Sequence, residues 1–161
     1  MATTRDSTRY KKLYTDKLVY KATEQFGRVV PITFEHTVVS GETGGASAGV
    51  QDLVNLCVIP ANWMVLSLRL VSEALWASAG VNGTLQIGDS GDDDRYMTAT
   101  ELYTGTPGGP IATEGMKRGG LADTGQNYIP TSDTIVTAKY KVANPTVGKK
   151  FKGYFLCVPG A

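Results

Sequence analysis

Between residues 50 and 94 the apolar positions fall two apart rather than three or four. In residues 63–75, Met64, Leu66, Leu68 and Leu70 share one parity, and Val65, Ser67, Arg69, Val71 and Glu73 share the other. Successive side chains of a strand point to opposite faces, so the first set lines a core and most of the second meets solvent or a partner. A helix is the competing reading of so leucine-rich a run, but leucines two apart would wrap around a helix instead of forming a stripe. The preceding residues 50–59 form a second apolar strand, with Pro60-Ala61-Asn62 as the turn between the two.

The same alternation recurs at both ends of the chain. In residues 28–40, Val30, Ile32, Phe34, His36 and Val38 take one face, and Pro31, Thr33, Glu35, Thr37 and Val39 the other. Pro31 has no ladder donor, which places that strand at a sheet edge or gives it a bulge. Residues 41–49, GETGGASAG, predict a flexible loop without a side chain large enough to pack. Asn82-Gly83 signals a tight hairpin into a strand at 84–87. DRYMTATELY, residues 94–103, predicts a helical turn or two capped by Asp94. Residues 105–125 form a glycine-rich loop anchored by Ile111, Met116 and Leu121, a length that in a compact domain marks a contact loop. Residues 127–129 begin a further strand, Pro130-Thr131-Ser132-Asp133 turns it, and 134–142 returns with Val136, Ala138, Tyr140 and Val142 on one face. Asn144-Pro145 breaks the chain and 149–158 closes it, while 13–26 admits a weak strand or an irregular connection. About eight strands without an internal repeat predict an all-β fold, an antiparallel two-sheet sandwich of jelly-roll type, with an immunoglobulin-like sandwich as runner-up.

Composition agrees with one such domain. The chain has 161 residues, enough for a substantial core, and its 19 glycines and 19% charged residues suit short strands and many turns. Cys57 and Cys157 each sit in an apolar run and read as buried free thiols rather than a disulfide scaffold. The first residues lack an apolar signal core, and the apolar run 53–68 is interrupted by Asn55, Pro60 and Asn62, so neither secretion nor a membrane span is predicted.

Charge changes the picture at one end. The net charge is +1, yet residues 1–21 carry +4 and the remaining 140 carry −3. We therefore divide the chain into a basic N-terminal arm, 1–27, and a sandwich domain, 28–161. Two readings of the arm stand: a segment that docks on an acidic partner or a neighbouring copy, and a solvated, frayed terminus. Aromatic and apolar residues interleaved with the charges are costly to leave in water and useful as anchors. The candidate partner contacts are Arg5, Arg9, Tyr10, Lys11, Lys12, Tyr14, Lys17 and Tyr20.

Candidate chemistry is sparse. Asp89, Asp92, Asp93 and Asp94 lie within six residues and suit a hard cation such as calcium, but the twelfth position from Asp89 is Thr100, not the glutamate of an EF-hand. Gly88-Asp89-Ser90-Gly91 is also ordinary turn chemistry, with Arg95 to offset charge, so calcium stays open and no metal or cofactor is assigned. His36, the one histidine, lies on an apolar face and reads as a satisfied or interfacial residue. One histidine and two distant cysteines make no zinc spacing. There is no nucleophile elbow, no phosphate-cradling lysine loop, and nothing selects a carboxylate pair among Glu35, Glu73, Glu101 and Glu114. No enzyme is predicted. The Asn82-Gly83-Thr84 sequon is incidental to the hairpin. Lys149, Lys150 and Lys152 form only a short basic cluster, so no nucleic-acid partner is predicted.

VNLCVIPANWMVLSLRLVSEAL, then NGTLQIGDSGDDDRYM, YIPTSDTIVTAKY and the closing KKFKGYFLCVPG resemble virion proteins of tailed bacteriophages. In these, an apolar strand pair around a Pro-containing turn precedes a T-L-x-I-G-D…D-D-R-Y loop, a late S-D-T-I strand and an apolar last strand. The resemblance covers residues 50–158, about two-thirds of the chain. It implies a small β-sandwich head-decoration (cement) protein, commonly a homotrimer, seated on the capsid surface with the major capsid protein as partner and made in the bacterial host cytoplasm. The alternative is a tail, fibre or neck module, or a sugar-binding sandwich that contacts the host. Trp63 and Trp76, at the ends of an apolar strand, read as core or interface rather than a sugar platform. The resemblance carries over no catalytic residue, and the basic arm lies outside it.

Overall fold

Residues 30–37 alternate between buried and solvent-facing positions along their whole length, as a strand with one dry face must. A computed structural model describes residues 4–6, 28–44, 52–72, 75, 84–101, 111–113, 125, 127–141 and 143–160. Among them are nine strands: β1 (Thr4–Asp6), β2 (Val30–Thr37), β3 (Leu53–Ile59), β4 (Met64–Ser72), β5 (Thr84–Gly88), β6 (Met97–Glu101), β7 (Ile111–Thr113), β8 (Thr134–Lys141) and β9 (Lys150–Val158). No helix of the described residues is long and apolar enough to cross a membrane.

Two sheets result, one ordered β1-β3-β8-β5-β6 and the other β2-β9-β4-β7. Counting β2 to β9 as eight strands, the first, eighth, third and sixth form one sheet and the second, seventh, fourth and fifth the other. Consecutive strands alternate between the two layers except at β5 and β6, which pair in one sheet, and this is the jelly-roll arrangement. All pairs are antiparallel except β1 with β3, which is parallel. β2 stands at a sheet edge, as the missing donor of Pro31 demands.

Between the sheets lies one core. Phe34, Phe151 and Phe155 are almost fully buried, each contributing about 1.5–3 kcal/mol of transfer free energy. Phe155 meets Phe34 at 5.9 Å and Tyr96 edge-on at 5.1 Å between ring centroids, so aromatic residues of β2 and β9 and of the segment before β6 fill the centre. Trp63 is also core; Trp76 lies outside the described residues. Cys57 and Cys157 are free and buried, and burial pushes both thiols up, Cys57 well above its ordinary value and Cys157 to about 12.

Several expectations are corrected. The parity read in β4 holds only from Leu68 onward. A bulge between Val65 and Ser67 shifts the register by one, so Val65 faces the core while Met64 and Leu66 are only half-buried. A second bulge, between Asn55 and Cys57, buries four successive residues, Leu56 to Ile59, of β3. Residues 94–103 do not start a helix: after a turn the chain enters β6, where pairing with β5 outweighs the weak helical cap at Asp94. Residues 127–129 form no strand. Instead Asn127 N–H donates to Val65 O at 2.9 Å and Val65 N–H to Tyr128 O at 3.0 Å, with Asn127 left-handed at φ 60°. The glycine-rich stretch hides β7, three residues paired with the end of β4. Residues 13–26 and the Asn82-Gly83 hairpin lie outside the described residues.

Candidate functional site

The acidic loop between β5 and β6 is organised around Asp89, which is 5% exposed. Its Oδ1 accepts the N–H groups of Gly91 at 2.9 Å and Asp92 at 3.1 Å, closing an Asx-type turn. Its Oδ2 accepts Arg95 Nε–H at 2.6 Å and the Tyr96 hydroxyl at 3.3 Å. Arg95 in turn lies over the Tyr128 ring, 4.1 Å from its centroid. Burial works against the Arg95 charge, but the hydrogen bond and charge of Asp89 outweigh it and hold the guanidinium above its ordinary value. Burial, then the Asp89 charge, pushes the Tyr96 phenol far up, so it stays a donor. Gly88 has to be glycine here, because a Cβ would sit 2.2 Å from the Asp93 carbonyl carbon.

Asp92, Asp93 and Asp94 remain together, one oxygen of each within 4.8 Å of the others. Lys139 Nζ donates to Asp93 at 2.9 Å and holds that carboxyl below its ordinary value. A hydrogen bond shared with Asp92, with burial and the neighbouring charges, holds Asp94 above its own. Asp89 therefore serves the turn, and a cation at the remaining three would compete with Lys139.

At the other end of the sandwich, His36 is satisfied as its position on the apolar face requires. His36 Nε2 lies 3.0 and 3.1 Å from the two carboxylate oxygens of Glu42. Tyr140 donates its hydroxyl to Glu42 Oε2 at 3.0 Å, and Val39 N–H donates to Oε1 at 3.2 Å. Glu42 corrects the expectation that no side chain of residues 41–49 packs: its side chain is fully buried, because three donors replace water around it. His36 stands in one sheet and Tyr140 in the other, so the carboxylate ties the two layers. The signal for it was the lone histidine on an apolar face, which needed a partner.

The outer face of the β2-β9-β4 sheet carries a shallow cavity of about 440 Å³, also missed in the sequence. Thr33, Tyr154 and Arg69 form one cross-strand row over it, and Glu35, Lys152 and Val71 the next. Between the rows, Gly153 has no room for a side chain: a Cβ would lie 2.2 Å from Arg69 O and 2.7 Å from Phe34 Cζ. No ion pair among the described residues engages Glu35, Arg69 or Lys152. The outward parity of residues 69, 71, 152 and 154 was the available signal.

Of the arm contacts, Arg5 is placed by its backbone in β1, opposite Val54 of β3. Arg9, Tyr10, Lys11, Lys12, Tyr14, Lys17 and Tyr20 lie outside the described residues.

A chain in the capsid of Ralstonia phage GP4 superposes with a TM-score of 0.62 at 18% identity, covering 99% of both chains. A chain of the cyanophage Pam1 capsid asymmetric unit gives 0.55 at 24% identity, covering 81% of this chain and 86% of that one. The fold is that of phage capsid chains. A third, from the acidic stable capsid of Helicobacter pylori bacteriophage KHP30, gives 0.52 at 13% identity over 82% of this chain and 89% of that one. No family model and no curated protein matches the sequence.

Proposed function

We propose that the chain is a capsid decoration, or cement, protein that binds the outside of a phage head shell and reinforces contacts between neighbouring capsid subunits. The observation that carries this reading is the end-to-end likeness, 99% of both chains, to a chain of the Ralstonia phage GP4 capsid. The body suits the role. The described residues pack around one core, and the large apolar side chains that reach solvent among them, Val29, Val39, Ile129, Ile135 and Val147, come from separate segments. Such a block adds to a shell through polar contacts rather than forming a continuous apolar interface.

In this mechanism the sandwich is the rigid part, and the basic arm with Arg9, Lys11, Lys12 and Lys17 meets the major capsid protein or a neighbouring copy. Modest contacts repeated over a shell reinforce it strongly, because each linkage raises the effective concentration of the next. A homotrimer places three arms at one point on the shell. Full-length protein carrying Lys11→Glu, Lys12→Glu and Lys17→Glu should leave the β-sandwich circular-dichroism spectrum unchanged and lose occupancy on heads stripped of the native protein. Undiminished occupancy would reject the arm's part.

The outer-face cavity favours a second reading, a tail, fibre or host-contacting module, since Tyr154 flanked by Arg69 and Glu35 offers a ring and polar groups to a sugar. A glycan array with the purified protein separates the two: saturable binding lost in Tyr154→Ala supports host contact.

A further inference from the structure

The pairing of β1 with β3 raises the question of which copy supplies β1. β1 lies parallel to β3 with Thr4 opposite Leu53, Arg5 opposite Val54 and Asp6 opposite Asn55. It covers the sheet at the free side of β3, whose sequence LVNLCVI is the kind of apolar edge that proteins keep covered. From Asp6 the strand runs toward the Ile59 end of β3, where β2 begins in the facing sheet. Strand rise and sheet spacing put the direct route to Val30 at about 20 Å. About six extended residues cross that gap. The chain places 23 residues there, 7–29, a length that reaches up to about 75 Å. The sandwich itself is only about 30–40 Å across by the size scaling of domains. The first 21 residues carry +4 and the rest of the chain −3, so the arm of one copy is attracted to the body of another.

We propose that the free side of β3 is a strand-acceptor site, and that its occupant in the assembled protein is residues 4–6 of a second copy. Backbone bonds of a three-residue ladder carry no mark of the chain they come from, so the pair has the same geometry within one chain or between two. Exchange of an identical element joins copies at little cost, and a long tether removes the strain that would oppose it. Where copies sit side by side, each β3 meets neighbouring arms at an effective concentration comparable to that of its own. The inference concerns copy-to-copy contact alone and holds or fails separately from the capsid role.

The test uses two full-length single variants, Asp6→Cys and Asn55→Cys, co-expressed, purified and oxidised mildly. A disulfide between positions 6 and 55 then joins two copies and nothing else, and the register pair lies within disulfide reach. Cys57 and Cys157 are buried and do not compete. The expected result is a 6–55-linked dimer on a non-reducing gel, confirmed by peptide mass, at least tenfold above a control pairing Asp6→Cys with Ser90→Cys on the acidic loop. The double variant Asp6→Cys/Asn55→Cys reports the pairing within one chain. A 6–55 link found only inside single chains, a mixture no better than the control, or no 6–55 link in any sample would each overturn the proposal.

Discussion

Asp89 and Glu42 are both buried carboxylates, each six residues from a basic partner and each accepting a tyrosine hydroxyl. They stand at opposite ends of the sandwich, and they differ in where their partners come from. Every ligand of the Asp89 carboxylate lies within seven residues, and its cation is an arginine, permanently charged. Glu42 reaches 98 residues along the chain to Tyr140, and its nearest base is a histidine rather than a permanent cation. One carboxylate shapes a loop; the other fastens sheet to sheet. The lesson is that a buried acid is held by local geometry in one place and by tertiary structure in the other, and the two fail differently.

Asp89→Ala should cause the largest loss, about 3–5 kcal/mol in urea unfolding, because it leaves a nearly buried guanidinium and two turn N–H groups without their acceptor. A loss under about 1 kcal/mol would mean that the loop is no more than a solvated turn. Glu42→Ala should lose less, about 2–3 kcal/mol, since the orphaned groups are hydrogen-bond donors of which none is a permanent cation. If Glu42→Ala proved the more damaging, the contrast between the two ends would be reversed. Tyr140→Phe removes one hydroxyl from a carboxylate that keeps His36 and Val39, and should lose about 1 kcal/mol. The ring itself stays packed edge-on to Phe151.

The smallest effect has a sign that distinguishes it. Asp94 is held above its ordinary value, by the hydrogen bond shared with Asp92 first, so the folded state disfavours its charge. That penalty is absent below the carboxyl's unfolded value near pH 4 and appears as pH rises through the higher folded value. Asp94→Asn should therefore stabilise slightly at pH 7, by less than about 1 kcal/mol for so exposed a group, and change nothing at pH 3. Asp93 has the opposite sign: Lys139 holds it low, so its contribution is present at neutral pH and disappears as acid protonates it. A pH-independent effect of Asp94→Asn would show that the three aspartates do not sense one another.

What was legible in the sequence follows the same division. β2 and β8 alternate along their length, so parity alone places Phe34, His36, Val136 and Tyr140 in the core. The Asp89 turn is written in contiguous residues, and its chemistry was visible there. β4 misled by half because a bulge shifts parity without altering composition, and nothing local in Val65-Leu66-Ser67 marks it. β6 and β7 are strands by virtue of β5 and β4 beside them; the alternation in MTATE is too short to decide against a helix, and IAT is too short to show one. Glu42 was hidden in a glycine-rich loop because its burial depends on Tyr140, far away in sequence.

We propose that this chain is a brick of a phage head. An electron cryo-microscopy map of the virion tests it most directly, with this fold fitted into density. The expected result is jelly-roll density on the outer surface of the shell, in hundreds of copies bridging neighbouring capsid subunits. Density confined to a handful of copies at the neck or tail, or none in the particle, would contradict it.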